Sequence, residues 1–451
     1  MASDTEGPIP PRRSGSGAPR HAAPRHGAPR RITPATASEA APGVAPDPAR
    51  PRPPKGPKRR LDRKTRLLRT AVILVAVVLV LAGGGYGYLR YRVGQIKTQN
   101  CPSCAAIVSG QPFNILIIGD DSRADNTPAE NANFGSTAEA GGTHSDTLKV
   151  AHVDPATGTV SMLSIPRDTY VRLSGLSASW LSQLGTADQK INAALNDSVD
   201  SLVQTVQDSF GIPIQSWVLI NFNGLMNAVQ TVGGIKLYFH YPVRDDDDGN
   251  NNSGLAINQT GCLTLNGSQT LALSRSRFFQ YEASPGVWVA DGTGDLGRIQ
   301  RQNEIIKALI DKAESTYNPL TLNAFIGSVV HDVRIGGLSG SQLLSLAIHY
   351  HGFTGSDLET ATIPTYGAGS AAGSVEVVEE PQAEQLVTQF LGTAPNPVTT
   401  PPLDGYGSPV TAPAATTAAP SSGTSSSGTG SGKAATIPAQ PAPPDFDPTP
   451  C

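Results

Sequence analysis

The sequence predicts an α/β domain in which a mixed sheet is covered by helices, and three observations predict it. Short apolar runs of strand length, such as residues 111–119 (QPFNILIIG), alternate along the middle of the chain with segments whose apolar residues recur at helical spacing. Asp154-Pro155-Ala156-Thr157-Gly158 separates two such runs as a hairpin turn would. Both ends of the 451-residue chain have compositions that cannot bury a core, which leaves one globular unit between them.

Residues 1–70 read as a disordered arm rich in Pro, Ala, Gly and Arg, with 16 Lys/Arg against 5 Asp/Glu. Residues 71–89 (AVILVAVVLVLAGGGYGYL) carry no charge over 19 positions, enough to span a bilayer. No A-x-A cleavage site follows them, so a signal anchor is expected rather than a signal peptide. Basic flanks stay in the cytoplasm, which puts the N terminus inside and the larger part of the chain outside, at the cytoplasmic membrane. The basic arm serves topology on this reading, and no nucleic-acid partner is expected. A juxtamembrane linker is expected over 90–110, the domain over 111–392 and a disordered Pro/Ser/Thr/Gly tail over 393–451.

All four cysteines, Cys101, Cys104, Cys262 and Cys451, follow the apolar run, where disulfides are permitted. The C-x-x-C at 101–104 has no second pair to complete a zinc site. A bridge from Cys262 to one of that pair is expected, with Cys451 left over.

Within the domain, strands are expected at 111–119, 147–153, 159–165, 217–222 and 235–239. Residues 197–210 have helical spacing (Val199, Leu202, Val203, Val206, Phe210), and a second helix over 223–232 stops at Gly233-Gly234. A third helix begins near Leu296, with Ile299, Ile306, Leu309, Ile310 and Ala313 as its apolar stripe and Arg298 and Arg301 beside it.

The chemistry-bearing residues gather where strands end. Asp120-Asp121-Ser122-Arg123, His144-Ser145-Asp146 and Arg167-Asp168 all follow or precede apolar runs. Arg275 and Arg277, read as an R-x-R on a strand, would point the same way. The stretch GDLGRIQRQNE at 294–304 adds Asp295, Arg298, Arg301 and Gln302 within a few helical turns. Guanidinium forks match phosphate oxygens, and Mg²⁺ binds through one or two carboxylates plus phosphate, so the set points to a phosphate or pyrophosphate site. Residues 245–254 (DDDDGNNNSG) fail the spacing of a calcium loop and read as a solvated hairpin tip. No Walker loop and no G-x-S-x-G is present.

Taken in order, ILIIGDDSR, HSD, LSIPRDTYV, KINAAL, GCLTLNGSQTLALSRSR and GDLGRIQRQ resemble the motifs of the LytR-CpsA-Psr family, over roughly residues 112–390. The resemblance implies a three-layer α/β/α extracytoplasmic domain after one transmembrane helix, holding a polyprenyl-pyrophosphate-linked glycan in a deep apolar pocket. It implies a phosphotransferase that moves the glycopolymer to a peptidoglycan hydroxyl, with Mg²⁺, or Mn²⁺ in its place, as cofactor. Asp121 and Asp146 match the metal-associated positions. Arg167, Arg275, Arg277, Arg298 and Gln302 match the pyrophosphate-binding ones, and Arg123 and Arg301 join them as further cations of the same clusters. Asp295 matches the acid that holds the arginines, while Asp146 or Asp168 is the candidate base. His144 stands where the family usually has Arg. Two other readings use the same residues: a non-catalytic envelope protein that binds lipid pyrophosphate or glycan, and a polyprenyl-pyrophosphate phosphatase in which water replaces the sugar hydroxyl.

Overall fold

The strand Phe113–Asp120 shows how the layers form, because its side chains alternate between two cores. Leu116 and Ile118 enter one core with the helices Val199–Phe210 and Gln382–Leu391. Phe113 and Ile115 enter the other, against the helix Gly340–His349. A sheet apolar on both faces needs helices on both, and the three-layer expectation is met. The computed structural model describes residues 84–120, 145–316, 332–410 and 444–451, without residues 85, 89 and 252 and with 324, 327 and 328 in addition.

The main sheet has seven strands in the order Lys97–Gln99, Val333–Gly336, Ser216–Asn221, Phe113–Asp120, Ser145–Asp154, Thr159–Ser164 and Glu359–Thr362. Pairing is mixed: Phe113–Asp120 runs parallel to Ser216–Asn221 and antiparallel to Ser145–Asp154. The hairpin expected around Asp154–Gly158 is present, with Lys149 opposite Ser164. Local signals set the helix ends. Ser198 caps Val199–Phe210 by accepting from the Ser201 amide, and Gly211 closes it at φ 65°. The strand Lys97–Gln99 falls inside the expected linker, so the sheet begins before residue 111.

A second core lies beside the sheet, in a lobe built by residues 235–309 and 444–451. Its strands Ile235–Phe239 and Gly261–Leu265 support the helices Gly267–Arg275 and Gly294–Ser315. Here the expectations for Arg275 and Arg277 change: Arg275 ends a helix and Arg277 follows it, so the pair is not on a strand. The reason is local, a capping box between Asn266 and Gln269 that starts a helix through TLALS.

The cysteines also pair differently from the expected bridge. Cys101 joins Cys104, and Cys262 joins Cys451. Thr449–Pro450 pairs with Leu237 and Tyr238, on the strand whose other edge carries Cys262, and this brings the chain end to it. Cys101 and Cys104 pack against the main sheet's core instead. The tail is therefore not uniformly disordered: Leu403 is buried beside Tyr170 and Val377, and residues 444–451 complete the lobe. Residues 411–443 lie outside the described residues, as does nearly all of the apolar run 71–89. Among the described residues no helix is long and apolar enough to cross a membrane.

Candidate active site

Antiparallel pairing puts the start of Ser145–Asp154 beside the ends of Phe113–Asp120 and Thr159–Ser164. Asp146 and the Arg167-Asp168 loop consequently share one edge of the sheet. The lobe adds Arg277 and the first turns of Gly294–Ser315 to that edge, and the guanidiniums converge on one carboxylate. Asp146 Oδ1 lies 2.6 Å from Arg167 Nη1, 3.2 Å from Arg277 Nη2 and 3.7 Å from Arg298 Nη1. Arg298 Nη2 also donates to the Asp146 carbonyl at 2.9 Å.

Asp295 completes the group, 2.6 Å from Arg298 Nη2 and 3.7 Å from Arg167 Nε. With Asp168 and Lys190, which join the cluster at its rim, four cations face three carboxylates, one positive charge in excess. Burial would raise the Asp146 carboxyl, but Arg298, Arg167 and Arg277 outweigh it and hold it below the usual range. Burial also pulls the Arg298 guanidinium down to about 10, against the pull of Asp295 and Asp146, so it stays cationic at neutral pH. Several buried polar atoms of this group lack hydrogen bonds: Arg167 Nε, Arg298 Nε and Asp295 Oδ2, whose fellow oxygen is the one paired with Arg298. Buried polar atoms left in this state suit a further polar or ionic group.

Asp168 sits at the rim, 3.2 Å from Lys190 Nζ and 3.6 Å from Arg167 Nε. Arg275 stacks over the Phe222 ring at 4.9 Å, where the strand Ser216–Asn221 turns into the helix Phe222–Thr231. Asp121 and Arg123 lie outside the described residues, as does His144.

Arg301 and Gln302, expected to bind pyrophosphate, are engaged at the end of the helix Gly267–Arg275. Arg301 Nη2 donates to the Ser276 carbonyl at 3.1 Å and Gln302 Nε2 to the Ser274 carbonyl at 3.0 Å. Ser274 lies in the last turn of the helix Gly267–Arg275 and Ser276 is its C-cap, where carbonyls have no partner within the helix. Arg301 is wholly enclosed, with Nη1 2.7 Å from Asp291 and 3.0 Å from Asp447 and its guanidinium over Phe279. Three residues along a helix turn the side chain by about 300°, so Arg298 and Arg301 diverge enough to serve different neighbours. Gly297 leaves room for this arrangement, since a Cβ there would run into the Thr293 hydroxyl beside Asp291.

Several contributors were not singled out from the sequence. Asp245, in the stretch read as solvated, is buried and accepts from Ser276 Oγ at 3.0 Å and the Phe278 amide at 2.9 Å. Lys149 is buried between sheet and arginine helix, donating to Asn303 Oδ1 at 2.6 Å and Ser164 Oγ at 2.8 Å. Burial, with Arg298 adding to it, pushes its amine down to about 7. Glu376 borders Asp168, its amide donating to the Asp168 carbonyl at 2.9 Å, and burial pushes its carboxyl up. Alternation around Lys149 (LKVAHVD) was the one available signal, a lysine at an inward strand position.

A cavity of about 720 Å³ runs along the Ser216–Asn221 strand to Asp120. Trp217, Leu219, Leu195 and Val199 line it, but so do Asp197, Asp200 and Arg334. Its walls are thus mixed, part apolar and part charged.

As to a metal, the described residues contain no group of three or more His, Cys, Asp or Glu able to hold one. Mg²⁺ needs fewer protein ligands, one or two carboxylates with substrate phosphate, and Asp146, at the edge where the guanidiniums meet, is of that kind.

The fold and site together define a class: a three-layer α/β domain that focuses arginines on an anion at one end of its sheet. The chain belongs to the LytR_cpsA_psr family, whose model it matches over residues 93–391. It is 27% identical over 310 residues to the polyisoprenyl-teichoic acid–peptidoglycan teichoic acid transferase TagV of Bacillus subtilis, covering 66% of this chain and 71% of that one. It is 29% identical over 353 residues to the probable cell wall biosynthesis protein LcpB of Corynebacterium glutamicum, covering 76% and 77%. Among solved structures, protein gbs0355 of Streptococcus agalactiae shares the fold, with a TM-score of 0.51 at 20% identity over 64% of this chain and 90% of that one.

Proposed function

We propose that this protein transfers a glycopolymer from a polyprenyl-pyrophosphate carrier to peptidoglycan. The observation that carries the reading is the meeting of Arg167, Arg277 and Arg298, from three separate segments, at one carboxylate oxygen of Asp146. An excess of fixed cations, three of them guanidiniums, favours a substrate with several anionic oxygens, and the guanidinium forks fit phosphate. The naming of TagV as a transferase from polyisoprenyl carrier to peptidoglycan supports the same chemistry.

In the proposed reaction an acceptor hydroxyl oxygen forms a bond to the glycan-proximal phosphorus. The bond from that phosphorus to the bridging oxygen breaks, and polyprenyl phosphate departs with the electron pair. Arg167, Arg277 and Arg298 hold the diphosphate and neutralise charge as it shifts to the leaving group. The hydroxyl proton passes to a carboxylate. Asp168, at the rim, is the candidate, since one oxygen of Asp146 is already met by three guanidiniums. Asp295 keeps Arg298 and Arg167 in place. Asp146 and Asp121 are the residues that would hold Mg²⁺, which when bound supplies further charge neutralisation at the phosphates. Anchoring at the cytoplasmic membrane through residues 71–89, with the domain outside, would place the site near its lipid-borne substrate.

The test is turnover of a purified polyprenyl-pyrophosphate glycan with a peptidoglycan acceptor. Arg298→Ala is expected to lower turnover by about 10²–10³, the range for removing one preorganised donor. Wild-type turnover by that variant would end the proposal. Binding without turnover in wild type would favour a carrier-binding role, and release of polyprenyl phosphate at equal rate without acceptor would favour hydrolysis.

A further inference from the structure

The lobe delivers Arg277 through a short chain of buried contacts that starts at the C terminus. Ser276 lies between Arg275 and Arg277, and its carbonyl accepts from Arg301 Nη2 at 3.1 Å. Arg301 has no exposure, and its Nη1 is shared between Asp291 and Asp447, which are 3% and 2% exposed. Asp447 belongs to a segment 146 residues further along the chain, so nothing local places it there.

Besides the Asp447–Arg301 pair, residues 444–451 are shaped by one internal turn and docked at three further points. The Asp447 amide turns back to the Pro444 carbonyl at 2.8 Å. Phe446 stacks on Tyr281 with centroids 4.8 Å apart and planes 5° apart. Thr449 and Pro450 extend the sheet beside Tyr238 and Leu237, and Cys451 is bonded to Cys262. Each of these contacts lies in the lobe that carries the arginines.

We propose that residues 444–451 form a clasp that positions the substrate-binding Arg277: Asp447 fixes Arg301, Arg301 fixes the Ser276 carbonyl, and Ser276 sets where Arg277 meets the anion. The inference rests on the anion site described under Proposed function. Asp447 touches no substrate and is a positioning residue. Ser276 has a second hold, since Asp245 accepts from its hydroxyl and from the Phe278 amide. Loss of Asp447 therefore loosens the segment without unfolding it. Small displacements of a positioned group are costly to binding and rate, which gives the clasp its leverage. The Cys262–Cys451 bond also ties this positioning to an oxidising compartment, the one in which such bonds persist.

The experiment compares the full chain with Asp447→Asn, Asp447→Glu and the double variant Cys262→Ser/Cys451→Ser. Each is titrated with inorganic pyrophosphate, melted, and followed by amide hydrogen exchange. Asp447→Asn is expected to weaken pyrophosphate binding by about tenfold, the scale on which partners of a binding group act. Exchange at residues 276–279 should rise while the main sheet stays protected, and Asp447→Glu should recover most of both. The cysteine variant should move in the same direction as Asp447→Asn. Unchanged affinity and unchanged exchange at 276–279 in Asp447→Asn would overturn the clasp. So would a rise in exchange spread evenly over the chain, which is the mark of a general stabiliser. If wild type fails to bind pyrophosphate, the anion-site reading falls, while exchange at 276–279 still decides whether the C terminus positions that segment.

Discussion

Leu116 and Arg301 are both closed off from water, one in the main sheet and the other in the lobe of residues 235–309 and 444–451, and opposite forces keep them there. Leu116 gains by leaving water and needs only close packing from Ile118, Leu202 and Val206. Arg301 loses its hydration and needs Asp291, Asp447 and the Ser276 carbonyl to recover it. Apolar packing tolerates many sequences, whereas a buried charge network depends on every member. The sheet can therefore serve as a general platform while the lobe sets the aim of the arginines.

Three measurements would break or sharpen that contrast. The largest stability effect belongs to the sheet: Leu116→Ala should destabilise by about 2–5 kcal/mol in denaturant melts, through lost transfer energy and the cavity left behind. Turnover per folded molecule should hardly change, and a selective loss of activity would blur the division between platform and aim.

Lys149 joins the two regions and should show a pH signature of intermediate size. Its amine titrates near 7 in the fold against 10.5 for the ordinary group, chiefly through burial. Between those values the unfolded chain holds the proton that the folded chain has released, so this group's contribution to stability grows as pH rises through the window. It is fully present above 10.5 and is lost as pH falls through about 7. Lys149→Met should flatten the pH dependence of the melting temperature relative to wild type over that window. A slope identical to wild type would mean that Lys149 stays charged in the fold.

The smallest effect is expected at Arg172, whose ion pair with Asp188 at 2.7 Å sits on the surface. Exposed pairs are worth at most about 1 kcal/mol, so Arg172→Ala should leave melting and turnover nearly unchanged. A large loss there would show that geometry alone misjudges which ion pairs matter.

The sheet was legible because its signals are local. The apolar run at 111–119 and the turn at 154–158 each speak within a few residues, and the structure has a strand over Phe113–Asp120 and a hairpin at that turn. The family motifs marked Asp146, Arg167, Arg277, Arg298 and Asp295, which do converge. Arg301 was not among the matched positions and joined them only as a further cation of the same cluster, since nothing local shows that its partners are Asp291, Asp447 and the Ser276 carbonyl. Asp245 was misread because a run of four acids looks solvated, although its first member is buried. Asp447 gave no signal at all, lying in a segment whose composition resembles a linker.

From its residues alone this chain determined a mixed sheet with helices on both faces and a set of cations and carboxylates bound for one of its ends. Tertiary structure alone decided which arginines meet Asp146 and which are sealed away, and it alone brought Cys451 to Cys262 and Asp447 to Arg301. The physical reason is range. Backbone periodicity and capping act over a few residues, but a buried charge is satisfied by whatever partner the fold carries to it, from any distance along the chain.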